Sequence, residues 1–278
     1  YIYIILINKL MKILLIITKA GLCNRLQELL SWRDYGLSNK FEKIYFIWCN
    51  TSHCNSNCIC DIIDNIPNIK ILERHKKYTD FENFIMDHIY DRNTYHRITR
   101  KINYFDTLIE MEMVGGSGKN PDFNIINPIE INFTSTIVKK VTEYINTYLE
   151  DDYIAIHLRK QDNNLLIDYE LIDNLIEEYK HKKVYIATDS VDLQNKYKTH
   201  EHVMYNRSIN HSWSVNRSNV EDAVFDILIC SKATVFCGTP NRNERSVQSS
   251  YSNFIYGLRG VYEEAISPKY YNKHFIHY

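Results

Sequence analysis

The chain has 278 residues, enough to bury a sizeable core in one large domain or two compact ones. Its 33 Lys and Arg are balanced by 34 Asp and Glu, so it lacks the basic excess of a protein that coats a nucleic acid. With 8 Gly and 5 Pro in total, long low-complexity linkers are excluded.

The opening run, YIYIILINKLMKILLIIT, has the apolar character of a leader or anchor, but Asn8, Lys9 and Lys12 interrupt it. A Lys at the centre of a membrane span costs about 3 kcal/mol on insertion scales. No small-residue cleavage site follows, because Ala20-Gly21 leads into a polar helix start. A buried strand over Lys12 to Thr18 is the expected element, with a type II anchor as the alternative and Met11 as a second possible start. The expected location is the cytoplasm, with no stable membrane insertion.

After this strand, Gly21-Leu22-Cys23-Asn24-Arg25-Leu26 turns into a helix whose Leu26, Leu29, Leu30 and Trp32 form an apolar stripe. A Gly at such a turn lets backbone approach a ligand, and a helix N-terminus offers N–H groups to an anion. An ordinary turn with Asn24 as cap fits the same residues. Strands are expected at Lys43 to Trp48 and Asn68 to Leu72. Between them lie Cys49, His53, Cys54, Cys58 and Cys60, whose spacing matches no common zinc pattern. With no secretory signal, a reduced loop is favoured over disulfides. Cys23, Cys230 and Cys237 read as small core residues.

Phe81 to Tyr90 and Arg100 to Glu112 have helical spacing, the second through Ile102, Phe105, Leu108 and Ile109. Val114 to Asn120, VGGSGKN, invites comparison with a phosphate loop, but Met113 stands at the first Gly position and Asn120 replaces Ser or Thr. It reads as a loop. The spacing of Ile137, Val138, Val141, Ile145 and Leu149 predicts an amphipathic helix over 135–149.

Next comes Tyr153-Ile154-Ala155-Ile156, an apolar strand that ends in His157, Arg159, Lys160 and Asp162. An open α/β sheet places ligands just beyond such strand ends, although a solvated charged turn would look the same. From there helices and strands alternate: helices over 166–179, 192–197, 219–231 and 249–258, strands over 183–187, 202–205 and 233–237. Alternation of this kind predicts a parallel sheet with covering helices. The break between two halves is expected at 125–150, giving 1–145 and 146–278. No G-x-G-x-x-G follows any strand, which disfavours a dinucleotide oxidoreductase.

Four stretches together resemble one family. IHLRKQD is similar to the H-x-R-x-x-D motif of the α1,6-, α1,2- and protein O-fucosyltransferases and the nodulation fucosyltransferase. GLCNRL resembles their G-x-x-N-R loop. Tyr185 to Ser190, YIATDS, resembles their Y-x-A-T-D-D, with Ser190 in place of the second Asp. Ala223 to Ser231, then VFCG and Ser249-Ser250, resembles their helix with an internal Asp and the Ser pair before the last helix.

The resemblance implies two facing Rossmann-like domains of the GT-B type, 1–145 carrying the acceptor side and 146–278 the nucleotide-sugar donor. It implies transfer of fucose from GDP-fucose to a glycan or protein hydroxyl, with inversion and no metal or cofactor. Arg159 would stabilise the departing diphosphate and Asp162 would orient Arg159. His157 and Asp226 would read guanine; Gly21, Asn24, Arg25, Lys160, Asp189, Ser249 and Ser250 would complete the donor site. No base for the acceptor hydroxyl is evident, Asp168 and Glu170 being the nearest acids. For Asp226, an exposed place on the outer helix face remains the other reading. Another nucleotide sugar, or a glycan binder without activity, are the alternatives.

Overall fold

The computed structural model describes residues 9–18, 21–48, 59–73, 77–89, 98–116, 128–160, 168–206, 220–239 and 249–260. Its first strand, β1 (Lys9–Thr18), buries Leu14 and Ile16 toward one face and Ile13 and Leu15 toward the other. Burial on both faces is what a continuous apolar run demands. Around it forms a five-stranded sheet with β2 (Lys43–Trp48), β4 (Lys70–Glu73), β5 (Ile98–Tyr104) and β6 (Thr107–Gly116), in the order β4-β2-β1-β6-β5. All neighbours are parallel except β5 and β6, which are antiparallel. A two-stranded antiparallel ribbon pairs β3 (Ile63–Asn65) with β7 (Asn132–Phe133).

The β5–β6 pair corrects the helix expected over Arg100 to Glu112. Tyr104 pairs with Thr107 across a two-residue turn, with Phe105 at φ 49° and 87% exposed. Phe105 completed an apparent helical stripe with Ile102 and Leu108, whereas it stands at a hairpin tip and packs into no core. Burial along β5 alternates residue by residue, the period of an edge strand.

The second sheet is fully parallel: β8 (Tyr153–Leu158), β9 (Lys183–Thr188), β10 (Val203–Met204) and β11 (Val235–Cys237), ordered β10-β9-β8-β11. Helix α2 (Asp80–Asp87) covers the outer face of the first sheet. Helices α4 (Tyr169–Glu178) and α5 (Val191–Tyr197) cover the outer face of the second. One continuous core joins the two inner faces, filled by α1 (Leu22–Ser38), α3 (Ser135–Tyr144), α6 (Val220–Lys232) and α7 (Ser250–Leu258). Beyond Tyr144, α3 runs into a π turn, Ile145–Leu149. Among the described residues no helix is long and apolar enough to cross a membrane.

Lying between two sheets, α1 buries polar residues as well as its leucines. Gln27 Nε2 donates to the Ser250 carbonyl of α7 at 3.3 Å, and Arg33 pairs with Glu130. The backbone approach is close at Gly36: a Cβ there would lie 2.7 Å from Ile44 Cδ1 and 2.9 Å from Leu14 Cδ2. Glu28 is 2% exposed, and neither of its carboxyl oxygens has a hydrogen-bond partner among the described residues. Burial pushes its pKa from 4.5 to about 8, against the pull of Arg25 one turn away.

Two stability predictions follow from α1. Gly36→Ala would normally gain about 1 kcal/mol in a helix interior, but overpacking of Ile44 and Leu14 costs about 1–3 kcal/mol. We expect thermal unfolding to show a net fall in Tm of a few degrees (~2–4 °C per kcal/mol). For Glu28 the native state holds a proton that the unfolded chain releases between pH 4.5 and about 8. Stability from this group is therefore lost as pH rises through that window. Glu28→Gln, which never ionises, should gain on the parent protein from pH 5 to 9. Parallel melting curves across that range would mean that Glu28 is ionised and partnered in solution.

Candidate functional site

In the second sheet the chain steps outward from β8 to β9 and β10, then returns to place β11 on the other side of β8. The reversal makes a crevice between the carboxyl ends of β8 and β11, the usual ligand position in an open parallel sheet. His157 is the fifth residue of β8, on the inner face, and Thr239 follows β11.

These two residues and Ser252 of α7 form a buried knot. Thr239 Oγ1 donates to the His157 carbonyl at 2.9 Å and accepts the Arg159 backbone N–H at 3.1 Å. His157 Nδ1 lies 2.8 Å from Ser252 Oγ and 3.2 Å from Thr239 Oγ1. The Thr239 backbone N–H in turn donates to Ser252 Oγ at 3.3 Å. Because the Thr239 proton is used on a carbonyl, its oxygen can only accept from the ring. A bond from the ring to Thr239 thus needs the His157 proton on Nδ1, with Nε2 as an acceptor, whereas the nearer Ser252 hydroxyl can either donate or accept. Burial first, and the nearby Arg159 charge second, lower the His157 pKa to about 3, so the ring is neutral at physiological pH.

Tyr251 stacks on the His157 ring, centroids 4.5 Å apart and planes 27° from parallel. Its hydroxyl donates to the Ala223 carbonyl of α6 at 2.6 Å. Gly238 makes room for this arrangement, since a Cβ there would lie 2.9 Å from Ser252 Cβ and 3.0 Å from a Tyr256 ring carbon. Ser249 precedes α7 as its N-cap residue, 8% exposed, and its hydroxyl has no partner among the described residues. A buried orphan hydroxyl beside free helix N–H groups is an arrangement suited to an anion.

Other expected residues fall around this knot. Arg159 is half-buried just past β8. The Lys160 backbone N–H donates to Asp189 Oδ1 at 2.9 Å, and its ammonium pairs with exposed Asp192 at 2.8 Å. Asp189 thus ties the end of β9 to the end of β8. Ser190, where the resembling family has Asp, caps α5 through Leu193 N at 3.4 Å.

Asp226 is 5% exposed, inside the shared core and not on an outer face. The Tyr185 hydroxyl donates to its Oδ1 at 2.5 Å, and Asn206 also hydrogen-bonds it. Burial raises its pKa to about 7.

On the first sheet, Gly21 is the N-cap of α1, with open space where a Cβ would stand. Asn24 is exposed within the first turn, and so is not the cap. Arg25 is fully buried, its guanidinium 4.6 Å over the Trp48 ring at the carboxyl end of β2. Asp168 is spent as the cap of α4, accepting Leu171 N–H at 3.2 Å. Asp162, Cys49, His53, Cys54 and Cys58 lie outside the described residues, and Cys60 is half-buried in the short turn Ile59–Asp61. Among the described residues no group of three or more His, Cys, Asp or Glu is placed to hold a metal ion.

Thr239, Ser252, Tyr251 and Tyr185 were given no role from the sequence, although Tyr185 opens the YIATDS stretch and Tyr251 and Ser252 directly follow the Ser249-Ser250 pair.

No protein-family profile matches the sequence, and no curated protein matches it either. Solved structures do match in fold. The α1,6-fucosyltransferase NodZ, soaked with GDP-fucose, has TM-score 0.55 and 12% identity, over 88% of this chain and 92% of that one. Fucosyltransferase NodZ from Bradyrhizobium has TM-score 0.53 and 12% identity, over 87% and 91%. POFUT1 in complex with GDP has TM-score 0.57 and 10% identity, over 91% and 95%. Mixed α/β, with one mostly parallel and one fully parallel sheet, the chain has the GT-B type of fold found in these fucosyltransferase structures.

Proposed function

We propose that this chain is a glycosyltransferase that takes fucose from GDP-fucose and passes it to a glycan or protein hydroxyl, with inversion and without a metal. The observation that carries the reading is the crevice between β8 and β11. There a neutral buried His157 feels the Arg159 charge, and the orphan Ser249 hydroxyl stands at the start of α7, the helix whose Ser252 meets His157. Structures of the same fold captured with GDP and GDP-fucose support the choice of donor.

In this reading the acceptor oxygen attacks the anomeric carbon from the face opposite the diphosphate. The bond from that carbon to the phosphate oxygen breaks, and its electron pair leaves on GDP. The charge that develops there needs a cation or preorganised donors. Arg159 supplies a planar fork for two phosphate oxygens. Ser249, Ser250 and the first N–H groups of α7 cradle the diphosphate.

Lys160 adds a point charge, Asp189 holds its backbone, and Asp162 orients Arg159. Gly21 and Asn24 close the donor site from the first sheet. Arg25, its guanidinium over the Trp48 ring at the carboxyl end of β2, completes that side. We divide the chain at residue 145 into an acceptor half and a donor half, and place the protein in the cytoplasm. Guanine presents two adjacent N–H donors, which suit an acceptor carboxylate. Asp226 with His157 Nε2 is the acceptor set we assign to the base.

Thermal shift tests the nucleotide. GDP at 100 times its Kd should stabilise the protein by about 2.7 kcal/mol, a rise of roughly 5 °C or more. ADP should do so far less, and Asp226→Ala should erase the difference. Equal shifts from GDP and ADP in the parent protein would refute the guanine assignment.

Turnover tests Arg159, with EDTA present throughout. Arg159→Ala should lower transfer or donor hydrolysis by roughly 100- to 1000-fold, and Arg159→Lys should recover little of it. GDP affinity should fall less than turnover, since the fork acts on charge that appears only in the transition state. Turnover within a factor of a few of the parent protein would make Arg159 a turn residue. Loss of parent activity in EDTA, restored by manganese, would point to a metal-dependent mechanism.

A further inference from the structure

Asp226 is held from two directions, and what holds it bears on how it reads a base. Tyr185 stands on the inner face of β9, fully buried, and its hydroxyl donates to Asp226 Oδ1 at 2.5 Å. Tyr144 of α3 packs edge-on against the Tyr185 ring at 5.9 Å, fixing it in the layer between the sheets. Asn206, just beyond β10, makes the second bond. An ionised carboxylate offers about four acceptor positions. Two are taken by Tyr185 and Asn206, which leaves two, the number of adjacent donors on guanine.

We propose that Tyr185, with Asn206, positions Asp226 and keeps it ionised, and so determines whether the site accepts guanine. The inference rests on the donor reading above. Neither residue need touch the nucleotide; both are positioning residues.

The other groups around Asp226 supply no positive charge to do this. Asp222, one turn earlier on α6, disfavours a second negative charge, and Tyr251 and Cys230 are buried with their pKa values pushed well up, so they remain neutral. Desolvation alone therefore favours the protonated acid, and the two hydrogen bonds oppose it. A protonated Asp226 would turn an O–H toward guanine's N–H groups and lose the pairing.

The test measures GDP and ADP affinity by calorimetry from pH 6 to 9 for the parent protein, Tyr185→Phe, Asn206→Ala and Asp226→Asn. In the parent protein GDP affinity should fall as pH drops below about 7, while ADP affinity stays level. Tyr185→Phe loses a hydrogen bond to a charged group and should weaken GDP roughly tenfold at pH 7. Its acid limb should move up by about one pH unit, with affinity recovering toward pH 9. Asn206→Ala leaves β9 intact and should shift the limb the same way, so it serves if Tyr185→Phe does not fold. A merely structural role would lower the melting temperature without moving the limb. Folded variants that keep the parent pH profile, while Asp226→Asn loses GDP, would overturn the positioning role and leave the donor reading standing. A parent protein that binds GDP no better than ADP would overturn the donor reading itself.

Discussion

A parallel sheet buries both faces, and this chain has one mostly and one fully parallel sheet with one layer of helices shared between them. The constraint falls hardest on α1 and α7, which have no solvent face to spare. Gln27 bonds the Ser250 carbonyl and so sets α1 against the first turn of α7. Polar groups in that layer either find partners or remain uncompensated. Among the described residues Glu28 finds no partner, nor do the Thr18 hydroxyl and the Trp48 indole N–H, register partners at the ends of β1 and β2.

The same layer builds the crevice. Thr239 follows a strand of three residues, yet its hydroxyl and amide reach His157, Arg159 and Ser252, three points on two other segments. Tyr251 then ties the His157 ring to α6 through the Ala223 carbonyl, one turn before Asp226. His157 and Asp226 therefore belong to one rigid frame, although they stand on different elements. Arg259 completes the frame at the far end of α7, donating to the carbonyls of Ser231, in the last turn of α6, and of Ala233 and Thr234 just after it. Rigid placement of first-contact groups by buried neighbours is what a preorganised site needs.

The sequence by itself determined the parallel α/β class, because apolar runs of strand length alternate with helical stripes, and both patterns are local. It also determined that β8 delivers a charged cluster at its carboxyl end, because the switch from YIAI to HLRKQD is visible in ten residues. Local patterning failed at Arg100 to Glu112, where a hairpin tip supplied an apolar residue at a helical interval. It could not show the burial of Arg25, whose partner Trp48 comes from the next strand.

Tertiary structure alone decided where Asp226 points. Helix α6 is apolar on most sides, so its sequence allows the carboxylate to face water or core; packing against β9 put it inward, onto the Tyr185 hydroxyl. It likewise decided the knot at His157, whose partner Thr239 lies 82 residues away. Strand order brings those residues together, and strand order is set by how two sheets and their shared helices bury apolar surface, which no short stretch of sequence records.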